Sequence, residues 1–262
     1  MSDHALAAEL ATAAGELLLD LRATSGLTGK ELKDAGDRRS HELLMAELAR
    51  TRPDDAVLSE EGRDNLVRLT RDRVWIVDPL DGTREYGEPG RTDWAVHVAL
   101  WAGNELAAGA VALPAQGVTL ATTENGVNFG PPDWSSYEGR TIRCAVSRSR
   151  PPAFLNDLAD FVASQGWKIE QVPIGSAGAK IAAVLQGQVD AYVHGGGQYE
   201  WDNAAPAAVA LAAQAHASRI DGRTLTYNHE HPELPDILVC HPLAAPVLLA
   251  GLQHVSTSQR ES

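Results

Sequence analysis

Sulfur, aromatic side chains and positive charge are all in short supply in this chain. Its only thiols are Cys144 and Cys240, far apart and without a CxxC or Cys/His grouping. That excludes a disulfide framework and a zinc ribbon, and both thiols read as reduced and structural. No window offers the roughly 18 consecutive apolar residues that a bilayer-spanning helix needs. The opening MSDHALAAELATAAGELLLDL lacks the basic and continuous apolar regions of a secretory leader. A cytoplasmic protein that crosses no membrane is expected. Against 35 Asp and Glu stand 22 Lys and Arg, a formal charge of -13. Such a surface repels phosphate backbones and argues against binding nucleic-acid polymers. A small anionic substrate stays compatible, because divalent ions held by clustered carboxylates reverse the potential locally.

What the chain does have is apolar content, 44% over 262 residues, enough for one large domain or two moderate ones. Residues 5–22 place Leu6, Leu10, Leu17, Leu18 and Leu21 on one helical face, and the Gly26/Gly29 region ends that helix. A second helix is predicted from Arg38 to Arg50, with Leu43, Leu44 and Leu48 inward, Asp37 near its N-terminus and Pro53 beyond its end. Ala56–Leu58 and Val74–Val77 read as short buried strands, and Trp94–Leu100 alternates as a half-buried strand does. Glu105–Ala121 reads as two strands joined at Pro114–Gly117.

The segment NGVNFGPPDWSSYEG, 125–139, concentrates linker residues. Strands and helices alternate beyond it: strands at 142–147, 169–172, 189–193, 218–220 and 237–240, and helices at 151–165, 176–186, 202–215 and 243–252. The expected division is an N-terminal α+β unit, 1–139, and a C-terminal α/β unit, 140–262, with the site between them.

The stretch Trp75-Ile76-Val77-Asp78-Pro79-Leu80-Asp81-Gly82-Thr83 carries the chemistry. A carboxylate after a buried hydrophobic run is poorly solvated and needs a cation or a proton. Pro79 restricts Asp78 to extended geometry and Asp81-Gly82 turns the chain, so two carboxylates and the Leu80 carbonyl converge. These are hard oxygen donors suited to magnesium or manganese. Gly82 and Thr83 offer N–H groups to a phosphate, and the Thr83 hydroxyl can orient a water.

DPLDGT by itself could be a polar turn, and Asp202 and Asp37 could be helix caps. Those readings do not predict that Glu60-Glu61, Asp78, Asp81 and Asp202 all fall at element ends. Competing signatures are missing: GxxxxGK[ST], GxSxG and HExxH do not occur, and the GGGQ run at 195–198 reads as a loop. The nine histidines show no metal-ligand spacing.

Glu60-Glu61, Asp78-Pro-Leu-Asp-Gly-Thr83 and Glu200-Trp-Asp-Asn-Ala-Ala-Pro206, in that order, resemble the inositol monophosphatase superfamily of magnesium-dependent, lithium-sensitive phosphatases. The resemblance implies a layered αβαβα sandwich, of mixed α+β and α/β character, with an antiparallel-leaning first sheet and a mixed second one. It implies that Glu60, Asp78, the Leu80 carbonyl, Asp81 and Asp202 bind about two to three magnesium ions, with Glu61 behind them. Asp37, in Lys33-Asp-Ala-Gly-Asp37, matches the carboxylate that pairs with the motif threonine, here Thr83. Asp37, Thr83 and Glu60 would then form the catalytic set, acting on a water that attacks phosphorus directly.

Gly175-Ser-Ala-Gly-Ala-Lys180 and Val146-Ser-Arg-Ser149 look most like the CysQ-type 3'(2'),5'-bisphosphate nucleotidases. That branch converts adenosine 3',5'-bisphosphate to AMP, and its phosphosulfate relative to adenosine 5'-phosphosulfate, in sulfur assimilation. His194 stands where inositol-directed members tend to carry a glutamate. On this likeness Asp81, Gly82, Thr83, Ser147, Arg148, Gly175, Ser176, Lys180 and Asp202 contact substrate, with Ser147, Arg148 and Lys180 on a second phosphate. For Ser147 and Arg148 a solvated loop, and for Lys180 a helix surface, are the plain alternatives. Tyr86, Trp94, Tyr199 and Trp201 are candidates for stacking on a base, with core packing as their default. Three further readings stay open: an inositol phosphatase, a fructose 1,6-bisphosphatase, and a non-catalytic metal-stabilised scaffold. So does a homodimer through the Trp94–Trp101 strand or the alanine-rich helix.

Overall fold

Ser2 opens the first helix by accepting the Ala5 N–H at 3.3 Å, and α1 (Asp3–Thr24) then buries Leu6, Leu10, Leu18 and Leu21 on one face. The computed structural model describes residues 1–149 and 151–261, with side chains as far as Thr257. Helix α2 (Gly29–Thr51) begins well before the predicted Arg38. Its inward stripe is Leu32, Ala35, Gly36, Ser40, Leu44 and Leu48. The first half of that stripe is small or polar, so the apolar period becomes visible only near Leu44. Asp37 therefore lies inside the helix and is not a cap.

The first sheet follows in chain order: β1 (Ala56–Ser59), β2 (Arg73–Asp81), the short helix α3 (Thr83–Gly87), β3 (Ala95–Ala102), β4 (Glu105–Leu113), β5 (Val118–Thr123) and β6 (Gly126–Val127). Its six strands lie in the order of the sequence; β1 pairs parallel with β2 and the other pairings are antiparallel. The second half contributes β7 (Thr141–Ser147), α4 (Leu155–Ser164), β8 (Lys168–Ile174), α5 (Ala177–Leu185), β9 (Ala191–His194), β10 (Gln198–Tyr199), α6 (Glu200–Ala212), β11 (His216–Ser218), β12 (Glu233–Leu234), β13 (Ile237–Cys240) and α7 (Ala245–Glu261). Its five-stranded sheet runs β11-β13-β9-β7-β8, parallel around β7 and antiparallel beyond β9.

Three cores hold the layers together. Helices α1 and α2 cover the outer face of the first sheet through Leu18, Leu44, Trp75 and Val98; α5 and α6 fill the space between the sheets; α4 and α7 cover the far face of the second. The result is the αβαβα sandwich. Each fully buried leucine or valine contributes roughly 1.5–3 kcal/mol of transfer free energy before entropy is counted.

Several local expectations are corrected. The β2 strand does not stop at Val77 but runs through Asp78 and Pro79 to Asp81, with a register shift between Asp78 and Asp81. Pro79 has no N–H to give the ladder, and a bulge there leaves the strand extended. The chain turns at Gly82, at φ +85°. Strand β3 is buried on both faces and not half-exposed: Val96 and Val98 meet the outer helices, while Ala95 and Ala99 leave room for the inner ones. Gly109 of β4 serves the same end, since a Cβ there would lie 2.6 Å from Ala208 of α6. Most of β3 and α6 is buried in the chain's own core, while Leu211 of α6 stays exposed. Helix α6 starts at Glu200, which puts Asp202 in its first turn and not at the cap; α4 starts at Leu155, after Pro151-Pro152; and Gln198–Tyr199 leaves the glycine loop to pair with Glu233–Leu234.

Candidate active site

The parallel pairing of β1 and β2 brings two chain exits to one edge of the first sheet, and the Glu60 N–H donates to the Val77 carbonyl at 3.3 Å. Glu60 thereby faces Asp78. Across from them the N-termini of α5 and α6 point into the same corner. The Asp81 carboxylate accepts the N–H groups of Ala177 at 3.3 Å and Gly178 at 2.6 Å, where α5 begins. Asp202 accepts the Tyr199 N–H at 2.6 Å, which fixes its carboxylate at the start of α6. One oxygen from each of Asp78, Asp81 and Asp202 lies within 4.8 Å of the others. Two residues of one motif and a third from α6 share one corner.

Such crowding has an electrostatic signature. Burial, followed by Glu60, Asp81 and Asp202, raises the Asp78 carboxyl well above its ordinary value. Glu60 reaches solvent, yet desolvation of its carboxyl and the neighbouring Asp81 and Glu61 push it up to about 7. Asp202 rises to about 7 through burial and Asp81. Asp81 goes the other way: burial opposes its charge, but His97, the Gly178 N–H and Lys180 outweigh that and hold it low. Acids forced to keep protons mark a place short of positive charge. The donors are hard oxygens without sulfur or imidazole among them, and they fit a divalent cation of the magnesium type.

Beside this floor sit Thr83 and Asp37. The Thr83 hydroxyl lies 3.2 Å from the Leu80 carbonyl and 3.4 Å from Asp37 Oδ1. What brings Asp37 there is Gly36: a Cβ at that position would be 2.8 Å from the Tyr86 ring and 3.0 Å from Leu80. The helix closes on the motif only because nothing projects. Burial first, then the exposed Glu61 nearby, pushes the Asp37 carboxyl up to about 7. Gly82 plays a matching part, since its Cβ would lie 2.7 Å from Ser176.

A cavity of about 300 Å³ opens from Asp81, Gly82, Thr83 and Asp202 towards Ser147, Arg148 and Lys180. Ser176 caps α5 by accepting the Ala179 N–H at 3.0 Å, and the Gly175 N–H donates to Asp93 at 2.6 Å. Lys180 is not a solvated helix lysine: only 4% of it is exposed, and its ammonium donates to the carbonyls of Gly175 and Ser176 and lies over the Tyr192 ring. Arg148 is held by Glu85 at 2.8 Å and Glu88 at 3.1 Å. Of the aromatic candidates, Tyr86 and Trp94 are core, and Tyr199 stacks on Trp201 with ring centroids 4.8 Å apart.

Sequence reading missed His97, Asp93, Glu85 and Glu88. Buried His97 places Nε2 3.2 Å from Asp81 and Nδ1 3.0 Å from the Trp201 carbonyl, linking two walls of the site. Gly178 makes room for it, because a Cβ there would lie 2.0 Å from its Nε2. Only the pairing of Asp78 with His97 across β2 and β3 could have singled that histidine out.

The pattern of the inositol monophosphatase family matches residues 3–253. A Mycobacterium leprae protein named 3'-phosphoadenosine 5'-phosphate phosphatase is 50% identical, over 97% of this chain and 95% of its own length. The Escherichia coli 3'(2'),5'-bisphosphate nucleotidase CysQ is 31% identical over 74% of this chain and 78% of its own. Among solved structures, CysQ from Bacteroides thetaiotaomicron superposes with a TM-score of 0.75 at 26% identity, covering 90% of this chain and 96% of that one. No described helix is long and apolar enough to cross a membrane.

Proposed function

The chain belongs to the inositol monophosphatase family, and from that premise we propose that it removes the 3'-phosphate of adenosine 3',5'-bisphosphate, giving AMP, and acts likewise on the phosphosulfate relative. It is a phosphoric monoester hydrolase, like the relative with which it shares half its residues. The observation that carries the reading is a single cavity with carboxylates on its floor and Arg84, Arg148 and Lys180 on its wall. One end suits a phosphoryl group bridged by cations, and the other suits a second anion.

Asp78, Asp81, Asp202, Glu60 and the Leu80 carbonyl would hold magnesium ions. When bound, such ions supply Lewis-acid charge to the phosphoryl oxygens and the departing alkoxide. The chain's own part is to place and move a proton. Thr83, donating to Asp37, turns its oxygen lone pairs to an incoming water and aligns it with phosphorus. As the water oxygen bonds to phosphorus and the 3'-O–P bond breaks, one water proton goes to Thr83 Oγ1 and the threonine's proton to Asp37, whose carboxyl is pushed by burial up to about 7. The departing 3'-oxygen takes a proton from solvent. The N–H groups at the start of α5 keep Asp81 fixed meanwhile.

Phosphate release from adenosine 3',5'-bisphosphate, inositol 1-phosphate and fructose 1,6-bisphosphate, with magnesium, without it and with lithium, tests this reading. A preference for the nucleotide, lost without magnesium and inhibited by lithium, is expected. Equal or faster release from the other two would withdraw the nucleotide and leave the phosphatase.

A further inference from the structure

Of the three cations on the cavity wall, Lys180 is committed to two backbone carbonyls, while Arg84 and Arg148 share a carboxylate. Glu88 Oε1 accepts Arg84 Nε at 3.1 Å, and its Oε2 accepts both terminal nitrogens of Arg148, each at 3.1 Å. Glu85 adds a second carboxylate to Arg148 at 2.8 Å. The two glutamates differ in accessibility: the Glu85 side chain is 9% exposed, Glu88 35%. Glu85 is part of α3 and lines the cavity, whereas Glu88 lies just past the helix's end. Arg148 leaves the end of β7 in the second half of the chain, so its bond to Glu88 crosses from one sheet's loops to the other's.

We infer that Glu88 is a specificity-determining residue: it occupies Arg84 and Arg148 until the substrate's second phosphate displaces it. The inference rests on the proposed bisphosphate reading. A phosphate dianion brings more charge than a carboxylate and three oxygens in the geometry that guanidinium forks bind in pairs. Solvent-exposed ion pairs are weak and exchangeable, and Glu88 is the exposed member. A substrate with one phosphate has nothing to displace it with, and the arginines stay neutralised. Discrimination thus comes from the pair of arginines, and Glu88, by competing with the second phosphate for them, sets how much of that preference is lost.

The test compares KM and kcat of the wild-type protein, Glu88→Gln and Glu88→Asp on adenosine 3',5'-bisphosphate and on 3'-AMP, which lacks the second phosphate. Glu88→Gln is expected to lower KM for the bisphosphate about fivefold, with KM for 3'-AMP and both kcat values changed less than about twofold. Glu88→Asp keeps the charge and should return the KM ratio towards wild type. Equal shifts on both substrates, or a higher KM for the bisphosphate, would overturn the inference and leave Glu88 as a prop for α3. Should the wild-type protein prefer inositol 1-phosphate to either nucleotide, the substrate reading fails separately. The Glu88 comparison is then made on inositol 1,4-bisphosphate against inositol 1-phosphate, with the same outcomes decisive.

Discussion

The floor and the wall of the cavity handle charge in opposite ways. On the floor Glu60, Asp78, Asp81 and Asp202 crowd together, and three of the four are driven to hold protons. On the wall each arginine already has a carboxylate, so little net charge is left over. The floor is unfinished without a cation from outside. The wall is complete until a stronger anion arrives. On the proposed reading, their difference separates what makes the reaction possible from what selects its substrate.

Removing charge from the floor should have the largest effect. Asp78→Asn or Asp81→Asn is expected to lower turnover about a thousandfold or more while the chain stays folded; near-normal rates at ordinary magnesium would place the chemistry elsewhere. Thr83→Ala comes next, with kcat expected to fall about a hundredfold and KM to change little. A rise in KM alone would move Thr83 from the floor's chemistry to substrate positioning.

The pH dependence of stability sharpens the contrast. Asp37, Glu60 and Asp202, at about 7, lie above the ordinary carboxyl range. Between about pH 4 and 7 the folded state then holds protons that the unfolded chain has released, so stability falls as pH rises through that window. Thermal unfolding without divalent ions should show a higher midpoint at pH 5 than at pH 8, and magnesium should narrow the gap by raising the midpoint at pH 8. A midpoint that rises with pH and ignores magnesium would contradict the floor's description. A smaller effect is expected from Gly36→Ala, which forces a methyl group against Tyr86 and Leu80. A loss of about 1–3 kcal/mol in denaturant unfolding, with kcat reduced as Asp37 is pushed from Thr83, would support the close approach of α2; an unchanged kcat would not.

The sequence by itself determined most helices and strands and the acidic segments, because hydrophobic periods and the DPLDGT motif are local patterns that short windows preserve, and its resemblance to a known family implied the layered fold. It placed Glu60-Glu61, Asp78, Asp81 and Asp202 as one set through a resemblance in order and spacing. Tertiary structure alone decided the rest, for reasons that no local window holds. The start of α2 was hidden because its inward residues Ala35, Gly36 and Ser40 are small, and smallness registers as packing only once Leu80 and Tyr86 press against it. Burial of His97 behind Asp81 depends on strand pairing and on an α5 glycine far away in the chain. The sharing of Glu88 between Arg84 and Arg148 joins residues about sixty positions apart, and an ion pair across that distance exists only where folding has brought both partners within reach.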